Sequence, residues 1–349
     1  MMAELKFMEE MALDPKLFRC PHCGEGERIG VHSRAERLLK CHKCGKCFSE
    51  TKGTVFEYLQ YPKWVVILVL SLIGHGCPLR AIEACFFIDV RTVESWHEKA
   101  GEQGKRVQEQ IVCNGQVELG QVQADELRVK TQKGTVWIAT SMSVFSRLFI
   151  WGEVSLNRDK SMIRRLFEHV AQAASSATAP VLVAVDGFSA YPKAILAALH
   201  TKLYTGLPGR PAHIPWPDLH IVQVVKSCQG RKLAQVARRL AYGAWQPVYA
   251  LIGMSQLLPG SINTAYIERL NATFRARMPS LVRRTRNLAR TSHRLEYEMF
   301  WLGSLYNFST IHDSLAATPA MAAGLTDHFW SVEELLSLNG PRKPLQVLL

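Results

Sequence analysis

The chain has no apolar run long enough to cross a bilayer. Its longest, Val65 to Ile73 within WVVILVLSLIG, is well short of the roughly 20 residues a spanning helix needs. No charged segment followed by an apolar stretch opens the sequence, so secretion is not expected. Acidic residues are in short supply. Against 42 Lys and Arg there are 30 Asp and Glu, for a formal net charge of +12 and a pI near 9.3. That imbalance points to a polyanionic partner, of which nucleic acid is the commonest; an anionic membrane surface is the plainer alternative. An even set of cysteines is also lacking. There are nine, with four in a metal-like pattern, which suits a reducing cytosol better than a disulfide framework. Apolar residues, by contrast, make up 48% of 349 residues, enough for two or three domains with a sizeable core.

The four patterned cysteines are Cys20-Pro-His-Cys23 and Cys41-His-Lys-Cys44, with 17 residues between the pairs. Four thiolates at this spacing can surround one Zn²⁺ tetrahedrally, each CxxC wrapping the ion through a tight turn. Gly24 and Gly45 follow the pairs, where such a knuckle needs a residue tolerant of positive φ. Structural zinc would also explain how a segment poor in large apolar residues holds a fold. Two disulfides are the other reading of the same four residues, and Cys47, His22 and His42 are near enough to substitute as ligands. Arg34, Arg37, Lys40, Lys43 and Lys46 surround the cluster. The module is expected over residues 15–50.

Residues 60–105 read as helical. Trp64 to Ile73 is followed by Gly74-His-Gly76, a second helix begins at Pro78 with Leu79, Ile82 and Phe86 at helical spacing, and Phe87-Ile-Asp89 makes a turn. A third helix, Arg91 to Lys99, turns Val93 and Trp96 inward. Three short helices with a glycine break suggest a helix-turn-helix, with Arg91, Thr92, Ser95 and Lys99 facing a major groove. A small helical bundle linking two domains fits the same pattern. The polar stretch from Gly101 to Gly115 reads as a connector.

From residue 116 to about 330 strands and helices alternate. Val122 to Lys130, Val136 to Val144 and Arg147 to Val154 read as three successive antiparallel strands, with Lys133-Gly134 and Phe145-Ser146 as their turns. A helix over Asp159 to Ala174 leads to Val181–Val185, apolar throughout as in a strand covered on both faces, and Asp186 stands at its end. A helix from Tyr191 to His200 and a strand over His220 to Val225 follow, while Leu207 to Asp218 reads as a proline-rich loop. This order describes an α/β, ribonuclease H-like core, in which the acids on the first and fourth strands lie side by side. Asp125 shares its strand face with Leu127 and Val129, a costly place for a charge unless metal or hydrogen bonds hold it. Glu126 alternates to the other face and is not expected to be a ligand. In the helical stretch Ile262 to Arg275, Glu268, Asn271 and Arg275 share one face. Residues 269–294 then carry eight arginines and no acid, among them Arg283, Arg284 and Arg286, so this run needs a polyanion or an internal acidic partner. Three acids on two strands and a helix can converge to hold two Mg²⁺ (or Mn²⁺) for phosphodiester chemistry.

Together these motifs resemble the DDE transposases of bacterial insertion sequences, nearest to the insertion-sequence-one type. The matching stretches are CPHCG…CHKCGK, QADEL around Asp125, VDGFSAYP around Asp186, NTAYIERLNATFRARM…RRT around Glu268, and Tyr306-Asn-Phe308…His312-Asp-Ser-Leu315…Thr318-Pro. The resemblance implies Asp125, Asp186 and Glu268 as metal-binding catalytic acids, and Asn271 and Arg275 as supports for the glutamate or DNA contacts. It implies double-stranded DNA as partner, both element ends and target, and at least a dimer, in the nucleoid of a bacterial cytoplasm. Thr310-Ile311 precede His312 where related enzymes carry Arg-Pro, so a core or capping histidine is expected there. The competing functions are a Mg²⁺-dependent nuclease or junction resolvase of the same fold, which cuts without joining, and a DNA-binding regulator derived from a transposase.

Overall fold

The computed structural model describes residues 13–204, 210–230, 232–255, 262–282 and 288–338. It begins with a three-stranded antiparallel sheet, β1 (Ile29–Ser33), β2 (Leu38–Cys41) and β3 (Cys47–Ser49). Phe18, Leu39 and Phe48 pack there with Cys20 and Cys41. A core of that size needs a further constraint to persist in water. Buried Glu50 joins this module to the helices, accepting from Arg37 Nη2 at 2.7 Å and pairing with Lys63 Nζ at 2.8 Å.

Three helices follow: α1 (Lys63–Gly74), α2 (Leu79–Phe86) and α3 (Val90–Val107). Asp89 caps α3 by accepting from the Arg91 N–H, and Val93 and Trp96 are buried as their spacing predicts. The expected connector from Gly101 is not a connector. α3 continues to Val107 and passes into a π-helical turn, Gln108–Cys113. Two of its glutamines are buried and used internally. Gln103 donates to the Leu338 carbonyl at 2.8 Å, and Gln108 to the carbonyls of Phe149 and Ile150 at 2.7 and 2.8 Å. Gly101 and Gly104 serve packing against the helix Ser292–Phe308. A Cβ on Gly101 would meet the Tyr297 carbonyl oxygen at 2.3 Å. Val107, Val112 and Val117 belong to the same apolar core as α1 and the main sheet, so packing is continuous across residues 105–116.

The main sheet has six strands, β4 (Gln121–Thr131), β5 (Gly134–Ser143), β6 (Phe149–Ser155), β7 (Val181–Asp186), β10 (Leu219–Gln229) and β11 (Lys232–Tyr242); β8 (His200–Leu203) and β9 (Ala212–Pro215) form a separate hairpin. Its order is β11-β10-β7-β4-β5-β6. β4, β5 and β6 are antiparallel neighbours, β4–β7 and β7–β10 are parallel, and β11 is an antiparallel edge. The three strands read first in the sequence therefore pair as expected. The helix expected to reach His200 stops at Ala198, because His200 starts β8, whose partner β9 lies inside the stretch expected to be a loop.

Helix α4 (Lys160–Ala173), capped by Asp159, buries Ile163, Leu166, Phe167 and Val170. It packs with α5 (Ala190–Ala198) on the face of Val181, Val183 and Val185. α6 (Trp245–Ser255) covers the other face through Leu182, Ala184, Val222 and Val224. Both faces of β7 are thus covered, as its unbroken apolar run requires. α7 (Ala265–Arg277) lies against β4, and α8 (Ser292–Phe308), α9 (Pro319–Ala322) and α10 (Val332–Ser337) complete the chain's described elements. No described helix is long and apolar enough to cross a membrane.

Candidate active site and four-cysteine cluster

Register brings the first two acids together. β4 and β7 run parallel with Ala124 opposite Val185, so the next residues, Asp125 and Asp186, stand side by side where β7 ends. Asp186 turns the chain out of the sheet, its Oδ1 accepting from the Phe188 N–H at 2.8 Å. Asp125 is mid-strand, and its Oδ2 accepts from Asn271 Nδ2 at 3.0 Å, while Asn271 Oδ1 accepts from Thr140 at 2.8 Å. Burial raises the Asp125 carboxyl above its usual range, and the charges of Asp186 and Glu268 push the same way.

Glu268 arrives from the first turn of α7. That helix is seated by Gln123, whose side chain accepts from the N–H groups of Tyr266 and Ile267 at 3.1 and 3.0 Å. These are helix-terminal donors with no intrahelical partner. Glu268 pairs with Lys226 Nζ and accepts from Thr264 Oγ1 at 2.7 Å. Partial burial works against its ionisation, but the hydrogen bonds from Lys226 and Thr264 outweigh it and hold the carboxyl low. All three acids line one open cleft of about 480 Å³, together with Arg158, Phe188 and Lys226.

Glu126 lies closer to the other acids than its strand face suggests. Its carboxylate oxygen groups with those of Asp125 and Asp186, all within 4.8 Å of one another, whereas the Glu268 carboxylate lies outside that group. Alternation does send Glu126 to the opposite face of β4. However, β4–β7 pairing stops at Ala124 and Val185. Glu126 lies two positions beyond that last pair, and its carboxylate comes within 4.8 Å of that of Asp186. Burial pushes the Glu126 carboxyl up to about 7, assisted by the charge of Asp186 and opposed by Arg158. Arg158 Nη2 lies 3.1 Å from both Glu126 Oε2 and Asp186 Oδ2. Arg158, Lys226 and buried Tyr191 carry no local spacing signal that would have flagged them in the sequence. The NRD tripeptide before α4 offers only the helix cap at Asp159.

Asn271 is also reassigned. It is 1% exposed, so it supports Asp125 from within the core and cannot reach DNA. Arg275 is exposed on α7 and lines a second opening of about 500 Å³ that shares Asp125, Asp186 and Arg158 with the first and adds Glu126 to its wall. On α3, Arg91 and Ser95 are exposed and Thr92 and Lys99 half-buried, away from the face that packs on α8. Arg283, Arg284 and Arg286 lie outside the described residues. His312 lines neither opening. Its ring packs edge-on to Tyr306 at 4.5 Å, and its carbonyl accepts from the N–H groups of Leu315 and Ala316 at 2.9 Å. A structural role fits that placement.

In the amino-terminal module, Cys20, Cys23, Cys41 and Cys44 present four sulfurs within 4.8 Å of one another. Cys20 Sγ is 3.6 Å from Cys44 Sγ, and Cys23 Sγ is 3.6 Å from Cys41 Sγ. These separations are too long for disulfides and suit four ligands around one ion. Each pair forms a knuckle. The Gly24 N–H donates to the Cys20 carbonyl and the Gly45 N–H to the Cys41 carbonyl, both at 2.9 Å, with φ of 74° and 72°. Cys47, His22 and His42 are not in the cluster. Among known proteins, no family model matches this chain and no curated protein matches it.

Proposed function

We propose that the chain is a DNA transposase with a ribonuclease H-like catalytic core, a zinc ribbon and a helix-turn-helix-like segment that binds the inverted repeats ending its element. The observation that carries this reading is the convergence of Asp125, Asp186 and Glu268 on one cleft from a central strand, a strand end and a helix. The strand order supports the core assignment, since three antiparallel strands are followed by two parallel ones with the acids at their shared end. An all-carboxylate donor set suits hard cations such as Mg²⁺ or Mn²⁺, and four thiolates on two glycine knuckles suit Zn²⁺.

Asp125, Asp186 and Glu268 would hold the divalent ions. A metal pair there supplies charge neutralisation and activation of a water or a 3′-hydroxyl for in-line displacement at phosphorus. Asn271 fixes the Asp125 carboxylate by donating to Oδ2, and the turn at Phe188 fixes Asp186 in the same way. Arg275 stands at the second opening, where a guanidinium can receive a phosphate of the strand. The net charge of +12 favours the polyanion at long range. The partner is double-stranded DNA, and holding two ends together calls for at least a dimer.

The test uses DNA carrying the ends of the element and purified full-length protein. Glu268→Gln, Asp125→Asn and Asp186→Asn are each expected to abolish cleavage and strand transfer while end binding persists. Strand transfer retained by Glu268→Gln, with fold and binding verified, removes that residue from the site. Cleavage by the wild type without any joining would make the protein a nuclease, and binding without cleavage a regulator.

A further inference from the structure

Four carboxylates, those of Asp125, Glu126, Asp186 and Glu268, lie at one end of the sheet, and only two described cations touch them. Lys226 pairs with Glu268 at the mouth of the cleft, with 46% of its side chain exposed. Arg158 is placed differently. One nitrogen, Nη2, bridges Glu126 and Asp186 at 3.1 Å each. Its guanidinium lies 4.1 Å over the Phe188 ring and 5.3 Å from that of Trp137, which limits the plane it can adopt. Both openings onto the acids include Arg158 in their walls.

Carboxylates gathered this closely repel one another, and one response is for them to take up protons or separate. A fixed guanidinium is a third solution, because its one positive charge offsets half the charge of two of them and holds their oxygens at a set distance. The same contact occupies one oxygen. Asp186 Oδ1 already accepts from the Phe188 N–H, and Oδ2 accepts from Arg158. A cation that coordinates Asp186 through Oδ2 competes with Arg158 for that oxygen and is repelled by its charge. Glu126 stays behind as an anchor for the displaced arginine: its side chain is 1% exposed, and its Oε1 and the Arg158 Nε are both buried without a hydrogen-bond partner, free to pair once Nη2 leaves Asp186.

We propose that Arg158 is a positioning residue, an internal counter-cation that holds the acid cluster together before metal binds and gives up Asp186, but not Glu126, when a divalent ion enters. This inference rests on the divalent-metal reading of the cluster. It assigns Glu126 the role of retaining Arg158, which accounts for a buried acid on the face of β4 away from Asn271.

The experiment measures Mg²⁺ and Mn²⁺ binding to the full chain by calorimetry and by thermal shift, with no DNA present. Arg158→Gln is expected to lower the melting temperature of the protein without added divalent ion. It is also expected to bind Mg²⁺ about 3- to 10-fold more tightly than the wild type, because the competing cation is gone. A residue with only a structural role would weaken metal binding when removed. Arg158→Lys keeps the charge but loses the rigid planar guanidinium, so its affinity should fall between the two; it also serves as the test if the glutamine variant does not fold. Arg164→Gln removes an equal charge from the exposed face of α4, where Arg164 pairs with Glu168, and should change affinity less than about 2-fold. Equal or weaker Mg²⁺ binding by Arg158→Gln, or an equal gain in Arg164→Gln, overturns the proposal while leaving the metal site standing. Absence of divalent binding by the wild type overturns both.

Discussion

Replacing Asn271 by aspartate turns one amide into a carboxyl at a position that is 1% exposed and has two identified partners. The introduced group keeps the shape of asparagine and an acceptor for the Thr140 hydroxyl, which is 2.8 Å away. Its other oxygen would face Asp125 Oδ2 across the present 3.0 Å contact. Two unit charges at that distance repel by roughly 5–6 kcal/mol at an effective dielectric constant near 20. Protonation is the cheaper escape. Binding a proton at pH 7 by a carboxyl of ordinary pKa near 3.9 costs about 4 kcal/mol, and the neutral carboxyl then donates to Asp125 as the amide did. The expected loss of stability is therefore about 4 kcal/mol at pH 7. The folded pKa of the introduced acid is raised above its unfolded value, so the stability it allows is intact below about pH 4 and lost as pH rises. The loss should grow by about 1.4 kcal/mol per pH unit, from roughly 1.5 kcal/mol at pH 5. Urea unfolding at pH 5, 6, 7 and 8 without added divalent ion measures it. Added Mg²⁺ should recover part of the loss, since the variant offers one more carboxylate ligand. A variant within about 1 kcal/mol of wild type at pH 8, or a difference independent of pH, would refute the placement of Asn271 against Asp125.

Two other outcomes follow from the same reasoning. His97 is buried between α3 and α8, its ring 5.2 Å from Tyr297, and burial, with Arg294 adding to it, brings its pKa down to about 3. The unfolded chain takes up that proton below about pH 6.5 and the folded chain does not. Stability present above pH 6.5 is thus lost as pH falls toward 3, by on the order of 5 kcal/mol at most. His97→Phe should flatten this acid limb in unfolding curves at pH 7 and 4.5, and parallel curves for variant and wild type would count against it. Purified protein should contain one equivalent of zinc held by Cys20, Cys23, Cys41 and Cys44. Cys41→Ser should expose residues 15–50 to hydrogen exchange while the main sheet stays protected, because the module's own apolar cluster is small; protection of that segment in zinc-free protein would exclude a structural metal.

Local features were legible in the sequence because their physics is local. The cysteine knuckles close through hydrogen bonds spanning four residues, and both glycines adopt the positive φ their position demands. Strand alternation, the apolar run of β7 and the 3.6-residue spacing of α4 predicted those elements and their buried faces. Asp125, Asp186 and Glu268 could be picked out because each is a charge placed where its own element makes charge costly or positions it at an end. Where long-range packing decided, local reading failed. Gly101 to Gly115 reads as a polar connector, yet Gln108 and Gln103 bond to carbonyls in β6 and near α10, and Gly101 and Gly104 admit α8. Asn271 shares a helix face with Glu268, but the seating of α7 on β4 gives it to Asp125 instead. Alternation sends Glu126 to the other face of β4, but only the packed structure brings its carboxylate within 4.8 Å of those of Asp125 and Asp186. Arg158 comes from 32 residues further along the chain to bridge two acids, an arrangement that no spacing encodes because it exists only once β4, β7 and the start of α4 are packed together.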